Sequence, residues 1–489
     1  MNPSDYAWMS AVELIEALRS RQLSPVELVE AAIARIEEQN PAINAVVHLG
    51  ADDARAAARA AEHSLADGTA GPLTGVPVLM KDLFDFKPGW PSTLGGVRAL
   101  AGNIAQHSCL FVERMESAGA IVLGKTNSPV FGARGITDNP LFGPTRNPFD
   151  VTRNPGGSSG GAAAAVAAGF VPIAEGTDAG GSIRIPAAWT STYGFKPSAG
   201  RVPSIVRPLG FLNSAPFITE GPITRTVADA ALAMSTLAGP DPRAPHCLDG
   251  NLDYGAALER SVAGRRVGYS PELGAFTVEA EVARAVDHAV TGFEECGAHV
   301  ELVELSLPAD HAELAALWHR SMMQISLASL EAMQAQGIDL LTDLAAHFPP
   351  SLTEQIEQAR SMSARQLRND DALRTEVYDA LTPAVNAFDL LVSPTVGALP
   401  VLNADDGDTI GPSQINGQAV DPLIGWTLTF PLNFTGNPAA SIPAGLVNGL
   451  PLGMQLIGRQ MRDLDVLTFS AAYERARPWA ADYRLTEND

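Results

Sequence analysis

Residues 154–169, NPGGSSGGAAAAVAAG, place two adjacent serines between two pairs of glycines and then continue into alanines. Glycine loses more backbone freedom on folding than any other residue, so an ordered glycine-rich segment is costly. The glycines around Ser158 and Ser159 therefore indicate one of two things. Either the segment is a flexible turn, or its backbone closely approaches another group while a hydroxyl is presented to that group.

A second glycine-rich stretch follows at residues 175–189, EGTDAGGSIRIPAAW, in which Ser182 comes directly after two glycines. Taken alone, a turn is the simpler interpretation. The functional alternative is an oxyanion hole, in which consecutive backbone N–H groups lie beside a hydroxyl nucleophile. Asp178 and Arg184 flank this stretch, and we expect them to form an ion pair that fixes the loop.

Lys81 lies at the end of an apolar run, VPVLMKDLFD, at residues 76–85. Most lysines are solvated. Apolar surroundings disfavour the ammonium form of a lysine, so its pKa falls and it becomes a base near neutral pH. The nine histidines form no metal-ligand pattern and have no distinguishing context. Serine chemistry in this chain is therefore expected to proceed without histidine and without a metal.

Two further motif matches are interpreted as coincidental. Residues 119–126, GAIVLGKT, fit a phosphate-binding loop, but the intervening residues are strand-like and the following Asn-Ser-Pro resists a helix. The GGSSG segment fits the nucleophile elbow of α/β-hydrolases, which requires a preceding apolar strand. The residues before it, FDVTRNP, do not form a buried strand.

Composition predicts a globular protein with a large core. The chain has 489 residues, of which 46% are hydrophobic, and a formal net charge of −22. That charge repels phosphate, so no nucleic-acid partner is expected. Three widely spaced cysteines, Cys109, Cys247 and Cys296, indicate a reducing compartment. No segment resembles a signal peptide or a membrane span, so we expect a cytoplasmic protein without membrane contact.

The secondary-structure pattern favours one domain over residues 1–489, with no linker or internal repeat. Residues 1–70 are predicted to be mainly helical, including a helix with Ser24 as N-cap, Pro25 at its first position and Glu27 in its first turn. Residues 71–240 change to short apolar runs such as PVLM, AIVLG and FVPIA, which predict buried strands of an α/β sheet that begins near Val76.

The remaining elements are predicted from the same periodicities. A helix is expected at 225–238, a strand–helix–strand unit at 265–306, one long helix over 352–388 and a strand at 389–394. Residues 397–422 lack periodicity and form a candidate substrate loop. A strand at 450–458 and a helix at 464–476 complete the 241–489 part.

Several motifs together resemble the amidase signature family over nearly the whole chain. They are KDLFD (81–85), GKTNSPVFG (124–132), TDNPLFGPTRNP (137–148), PGGSSGG (155–161), GTDAGGSIRIPA (176–187), GFKPSAGRVP (194–203), NFTGNPAASIPAG (433–445) and GLPLGMQLIG (449–458). The resemblance implies an α/β fold, a single large domain in which α-helices cover a twisted mixed β-sheet.

The same resemblance implies a Ser–cis-Ser–Lys triad that hydrolyses amides. Ser182 matches the nucleophile, Ser158 the bridging serine and Lys81 the base, and Ser159 matches a supporting serine. The cis peptide is expected at 157–158 or at 158–159. The N–H groups of four residues match the oxyanion hole: Ala179, Gly180, Gly181 and Ser182. No cofactor and no metal are implied.

The substrate is expected to be a small neutral amide, with a carbamate or an ester as alternatives. Two other interpretations are the glutaminase subunit of a tRNA-dependent amidotransferase and a non-catalytic binder that keeps the fold. Pocket walls are expected from segments 316–330 and 397–426, with Met322, Met323 and Trp426 as candidate lining residues. The oligomeric state is left open, a homodimer included.

Overall fold

A single mixed sheet of eleven strands organises the computed structural model, which describes residues 6–211, 214, 216–250, 252–405 and 407–483. Within this part of the chain the strand order is β1-β3-β2-β4-β6-β5-β12-β13-β9-β7-β8, and β10 and β11 form a separate hairpin. The strands are β1 Val46–Leu49, β2 Pro77–Lys81, β3 Ile121–Thr126, β4 Ile173–Asp178, β5 Tyr193–Lys196, β6 Thr219–Thr224, β7 Arg266–Tyr269, β8 His299–Leu302, β9 Leu390–Pro394, β10 Gln414–Ile415, β11 Gln418–Ala419, β12 Ala439–Val447 and β13 Leu450–Ile457.

Helices of very different lengths cover this sheet. In the described residues the α-helices are α1 Ala11–Arg19, α2 Pro25–Ile43, α3 Ala51–Asp67, α4 Leu110–Ser117, α5 Gly160–Ala167, α6 Arg184–Trp189, α7 Val227–Leu237, α8 Tyr254–Leu258, α9 Ala280–Val290, α10 Gly292–Glu295, α11 His311–Ala335, α12 Leu344–His347, α13 Pro350–Ser361, α14 Ala364–Ala387, α15 Pro431–Thr435 and α16 Asp463–Ala476. The α/β class and the mixed sheet expected from the sequence are confirmed.

Two sequence expectations about the elements are wrong in detail. The sheet does not begin near Val76, because β1 already pairs antiparallel with β3 from within the helical N-terminal part. The single helix expected over 352–388 is two helices, α13 and α14. The break comes at Met362, whose extended backbone precedes Ser363, and the Ser363 side chain caps α14 by accepting a hydrogen bond from the Gln366 N–H.

The predicted start of α2 is confirmed by its capping contacts. The Ser24 side chain accepts a hydrogen bond from the Val26 N–H, and the Glu27 carboxylate accepts one from the Ser24 N–H. Pro25 occupies the first turn, where a missing N–H leaves no intrahelical hydrogen bond unmade. In this case local sequence determines the end of an element without help from distant contacts.

Parallel pairing brings the carboxyl ends of two strands to one edge of the sheet. Strand β2 ends at Lys81 and strand β4 ends at Asp178, and the two strands pair parallel with Val78 opposite Ile173. In α/β sheets, ligand sites lie outside the carboxyl ends of parallel strands. The chain therefore places Lys81 beside the two glycine-rich segments.

Helix α5 explains the run of alanines after the serines. All eight of its residues are buried, and it packs against strand β4 on one side and helix α6 on another. A helix enclosed on all sides lies close to its neighbours only if its side chains are small.

The apparent phosphate-loop motif is part of the sheet. Its residues Gly124, Lys125 and Thr126 lie inside strand β3, as expected for a coincidental match. No helix among the described residues has the length and apolar character needed to cross a membrane.

Candidate active site

Lys81 is a fully buried lysine whose amine contacts three hydroxyl groups. Its Nζ lies 2.8 Å from Ser158 Oγ, 2.9 Å from Ser159 Oγ and 2.8 Å from Thr177 Oγ1. Burial disfavours the ammonium form and lowers the pKa of Lys81 to about 8, although the nearby carboxylates of Asp85 and Asp178 oppose this shift. The amine is therefore available as a base close to neutral pH.

Ser158 is held at the start of helix α5 by an unusual backbone. The peptide bond between Gly157 and Ser158 is cis, which selects one of the two positions that the sequence left open. Gly157 also packs very closely, since a Cβ on this residue would lie 2.7 Å from the carbonyl carbon of Ile136. At least one glycine of this segment is therefore present because it permits a close backbone approach.

Ser159 contacts both Lys81 and the loop of residues 179–182. Its hydroxyl accepts a hydrogen bond from Lys81 Nζ and another, at 3.3 Å, from the Thr177 N–H. Its backbone N–H donates to the Ser182 carbonyl oxygen at 3.1 Å. One residue therefore connects the lysine to the second glycine-rich segment.

Ser182 lies in the tight turn between strand β4 and helix α6, and only 6% of the residue is exposed. Gly181 precedes it with φ +122°, and a Cβ there would lie 1.9 Å from Thr429 Oγ1, so only glycine fits this position. No hydrogen bond joins the hydroxyls of Ser158 and Ser182, both of which lie in the described part of the chain. The structure thus brings Lys81, Ser158 and Ser159 into direct contact and links Ser182 to them through backbone.

One hydrogen bond reduces the number of candidate N–H donors for the oxyanion hole from four to three. The Gly181 N–H donates to Asp178 Oδ1 at 2.8 Å and is therefore not a free donor. The N–H groups of Ala179, Gly180 and Ser182 have no partner among the residues that the structure describes. These three amides remain the candidates for holding a developing negative charge.

The backbone carbonyl groups of residues 179–181 are each held by a hydrogen bond. Trp318 Nε1 donates to the Ala179 oxygen at 2.9 Å, Thr429 Oγ1 donates to the Gly180 oxygen at 2.5 Å, and the Ile185 N–H donates to the Gly181 oxygen at 2.7 Å. In a planar trans peptide the N–H points away from the C=O. The bond from Trp318 thereby orients the Gly180 N–H, and the bond from Ile185 orients the Ser182 N–H.

Asp178 and Arg184 form the ion pair that the sequence suggested. Arg184 Nη2 lies 2.8 Å from Asp178 Oδ1 and Nε lies 2.9 Å from Oδ2, and both side chains are completely buried. Burial alone would raise the pKa of Asp178, but the Arg184 guanidinium lowers it to about 2. Arg184 also donates to the Thr429 carbonyl oxygen and to Asn433 Oδ1. The pair connects the loop of residues 179–182 to the C-terminal third of the chain.

Several contacts of this site were not predicted from the sequence. Thr177 binds Lys81, and Trp318, Thr429 and Asn433 contact the loop from distant segments. Thr177 carried a signal, because it lies one residue before Asp178 in the GTDAGGS motif. Trp318 lies in the predicted wall segment and Asn433 begins the motif at 433–445, but neither pattern predicts a contact with this loop. A hydrogen bond across more than 130 residues has no local pattern.

The candidate pocket residues take different positions. Trp426 is 1% exposed and stacks on Trp189 with ring centroids 4.6 Å apart, so its packing is that of a core residue. Met322 is buried in helix α11. Met323 lines a cavity of about 440 Å³ between α11, α13 and the start of α14, together with polar side chains that include His319 and Gln355. Contact of Met322, Met323 or Trp426 with a substrate stays a prediction.

Comparison with known proteins identifies the family. The family model described as Amidase matches residues 27–467. A crystal structure of a bacterial aryl acylamidase of the amidase signature family is 49% identical, covers 99% of both chains and superposes with a TM-score of 0.96. The chain belongs to the amidase signature family. It is accordingly an enzyme that hydrolyses amide carbon–nitrogen bonds.

Individual relatives of this amidase differ in what their names state. An acylamidase of Rhodococcus erythropolis is 37% identical over 98% of both chains. A glutamyl-tRNA(Gln) amidotransferase subunit of Methylococcus capsulatus is 35% identical over 96% of both chains. A structure of 6-aminohexanoate cyclic dimer hydrolase with bound substrate is 29% identical, covers 97% of this chain and 98% of its own, and has a TM-score of 0.85.

Proposed function

We propose that this amidase cleaves a small neutral amide, of the aryl or alkyl class, through an acyl-enzyme formed on Ser182. The observation that carries the proposal is the 2.8 Å contact between the buried Lys81 amine and the Ser158 hydroxyl. A neutral amine in this position accepts a proton from serine and so replaces the histidine of other serine hydrolases.

The proposed reaction has two halves. In the first, Lys81 Nζ takes the proton of Ser158, Ser158 Oγ takes the proton of Ser182, and Ser182 Oγ attacks the substrate carbonyl carbon. The negative charge on the carbonyl oxygen is held by N–H groups of the 179–182 loop. When the tetrahedral intermediate collapses, the carbon–nitrogen bond breaks and the leaving amine receives a proton through Ser158.

The second half regenerates the enzyme. Water donates a proton to the same relay and attacks the acyl ester carbon, and Ser182 leaves as its hydroxyl when the proton returns. The product is a carboxylic acid. Apart from the substrate and water, each step uses only groups of this chain, and none requires a cofactor or a metal ion.

Support for the substrate class comes from the relatives and from charge. The aryl acylamidase and the acylamidase both carry amide-hydrolysing names at 49% and 37% identity. The net charge of −22 disfavours anionic substrates at long range, although salt screens this effect. Carbamates and esters react by the same acylation and remain the second candidate.

The amidotransferase subunit is the third candidate, because several relatives carry that name. The experiment that separates these functions is an assay of the purified chain with a neutral aryl amide, the matching aryl ester, an aryl carbamate and glutamine at equal ionic strength. We expect kcat/KM to be higher for the aryl amide than for glutamine. A better rate with glutamine would contradict the proposal.

Variants test the assignment of the nucleophile in the same assay. Ser182→Ala is expected to abolish turnover of the aryl amide. Ser235→Ala is a matched control, because Ser235 is an exposed serine of helix α7 whose hydroxyl bonds only the Ala231 carbonyl oxygen among the described residues. Retention of activity in Ser182→Ala would remove Ser182 from the mechanism.

A further inference from the structure

Two acidic side chains that the proposed mechanism does not use, Asp85 and Glu175, lie close to Lys81, and a third, Glu220, lies opposite Thr177. Asp85 follows strand β2, Glu175 lies on strand β4 and Glu220 lies on strand β6. Glu220 is directly opposite Thr177 in the antiparallel β4–β6 pair, and Glu175 is two residues before Thr177. Because alternate residues of a strand share a face, Glu175 and Glu220 point to the side of the sheet that carries the Thr177–Lys81 contact.

Asp85 and Glu175 form a buried carboxyl pair. Their exposures are 2% and 0%, and the two side chains are hydrogen-bonding neighbours. Within the described residues, no N–H or O–H group of the protein reaches Asp85 Oδ2 or Glu175 Oε1. Two ionised carboxylates in this arrangement would repel each other, whereas one shared proton turns the contact into a charge-assisted hydrogen bond.

The proton belongs on Glu175. Burial raises the pKa of Glu175 well above its ordinary value, and the negative charge of Asp85 raises it further. Burial also raises the pKa of Asp85, but the Lys125 and Lys81 side chains act in the opposite direction on this carboxyl. Asp85 therefore retains the charge and accepts the hydrogen bond.

Glu175 also contacts the base through its second oxygen. Its Oε2 accepts a hydrogen bond of 3.1 Å from the Lys81 backbone N–H. The same carboxyl group thus touches both Asp85 and the residue that carries the catalytic amine. A change in its charge or shape is felt directly at Lys81.

We propose that Glu175 is a positioning residue that carries a proton, donating to Asp85 and accepting from the Lys81 N–H so that a single negative charge of the pair faces the Lys81 amine. An ionised Glu175 would add a second charge and stabilise the ammonium form, which does not accept a proton. The inference rests on the proposed role of Lys81 as the base.

Other charged groups in this region are already paired or act from farther away. Asp82 forms a buried ion pair of 2.6 Å with Lys125, and Asp178 is paired with Arg184. Among the described residues, the other titratable groups that face the carboxyl pair are Glu220 and Cys109. Arg114 acts on Glu220. Burial raises the pKa of Glu220 to about 8, so this side chain is also protonated at pH 7.

Infrared difference spectroscopy of the purified full-length enzyme tests the proton directly, without turnover. We expect the spectrum of wild type minus Glu175→Gln at pH 7 to show a carboxylic acid C=O band that shifts in heavy water. Glu220→Gln identifies the separate band of Glu220. A difference spectrum that shows only carboxylate bands would mean that Glu175 is ionised and would overturn the proposal.

The variant Asp85→Asn tests whether Asp85 accepts the hydrogen bond from Glu175. It also replaces Glu175→Gln as the test if that variant does not fold. The Glu175 band is expected to shift, because its hydrogen-bond acceptor changes from a charged to a neutral group. The midpoint of the rise of kcat/KM with pH is expected to move down by about one pH unit, because the charge facing Lys81 is lost. An unchanged band together with an unchanged midpoint would overturn the pairing.

Failure of this inference and failure of the proposed function give different results. If Ser182 forms no acyl-enzyme but the infrared result is as expected, the proposed function is wrong and the protonated pair remains supported.

Discussion

Trp318 and Ala179 are joined by a hydrogen bond of 2.9 Å from the indole N–H to the backbone carbonyl oxygen, across 139 residues of sequence. Trp318 is 2% exposed and its ring lies against Gly180. Because the Ala179 carbonyl is fixed in this direction, the Gly180 N–H of the same peptide plane points the other way. Helix α11 therefore helps to set the geometry of the loop of residues 179–182 from outside the family motifs.

Replacing Trp318 with Phe keeps an aromatic ring and removes the N–H. Loss of a direct oxyanion-hole donor costs on the order of 10²-fold to 10³-fold in kcat. Trp318 acts through the orientation of another donor, so we expect a smaller loss of about tenfold in kcat, with KM changed less than about twofold. Steady-state kinetics on a neutral aryl amide measure both constants.

Trp479→Phe is the matched control for this variant. Trp479 is also buried, and its indole N–H donates a bond of the same 2.9 Å length to the Arg225 carbonyl oxygen. It contacts no residue of the candidate site in the described structure. Equal losses of kcat in both variants would show that the effect of Trp318 is a general loss of stability.

The pKa of Lys81 predicts how activity depends on pH. With that pKa lowered to about 8, the fraction of neutral amine falls about tenfold for each pH unit below this value. The kcat/KM for a neutral amide is expected to rise with pH and reach an alkaline plateau above pH 8.

The proposed mechanism uses no metal ion, so activity should survive treatment with EDTA. Loss of turnover on chelation, with recovery on addition of zinc, would contradict the triad.

The Asp178–Arg184 pair predicts a large effect on stability. Arg184→Met leaves the Asp178 carboxylate buried without its cation, which costs about 3–5 kcal/mol of unfolding free energy. The folded pKa of Asp178, about 2, lies below that of an unfolded aspartate, so the contribution of the pair is present above about pH 4 and is lost as pH falls toward 2. Urea denaturation of wild type and variant at several pH values measures this difference. A difference below about 1 kcal/mol at pH 7 would contradict this role of the pair.

Variants of Trp426 test whether this residue is part of the core or lines the substrate pocket. Trp426→Ala is expected to lower the free energy of unfolding by about 3–5 kcal/mol, because the stack on Trp189 is lost and a cavity remains. Trp426→Phe, which keeps an aromatic ring, should cost less. If the sequence-based pocket prediction is also right, Trp426→Ala will change the KM for an aryl amide. A stable variant would contradict the core position.

The candidate site was predictable where its residues belong to compact motifs. Lys81, Ser158, Ser159, Asp178, Ser182 and Arg184 all lie within segments whose order of residues is distinctive, so the lysine–serine contact and the ion pair were expected and are present. The capped start of α2 followed from Ser24 and Glu27 for the same reason. In each case the information lies within a few residues of sequence.

The remaining features depend on contacts between distant segments. The engagement of the Gly181 N–H by Asp178, the bond from Trp318 and the bond from Thr429 are fixed only when the sheet has formed. Strand β1 has four residues and gains its place by pairing with β3, which no local periodicity indicates. The break at Met362 was missed because residues 351–382 contain no proline or glycine that would mark it.

Mapping the covalent adduct of a serine-directed sulfonyl fluoride by peptide mass spectrometry tests the central claim, that Ser182 is the nucleophile activated through Lys81, most directly. We predict modification of Ser182 in the wild-type enzyme, with a markedly slower reaction in Lys81→Met. Lys87→Met, which removes a lysine paired with Glu116 near the protein surface, should react at the wild-type rate. An adduct on Ser158 with Ser182 unmodified would contradict this mechanism.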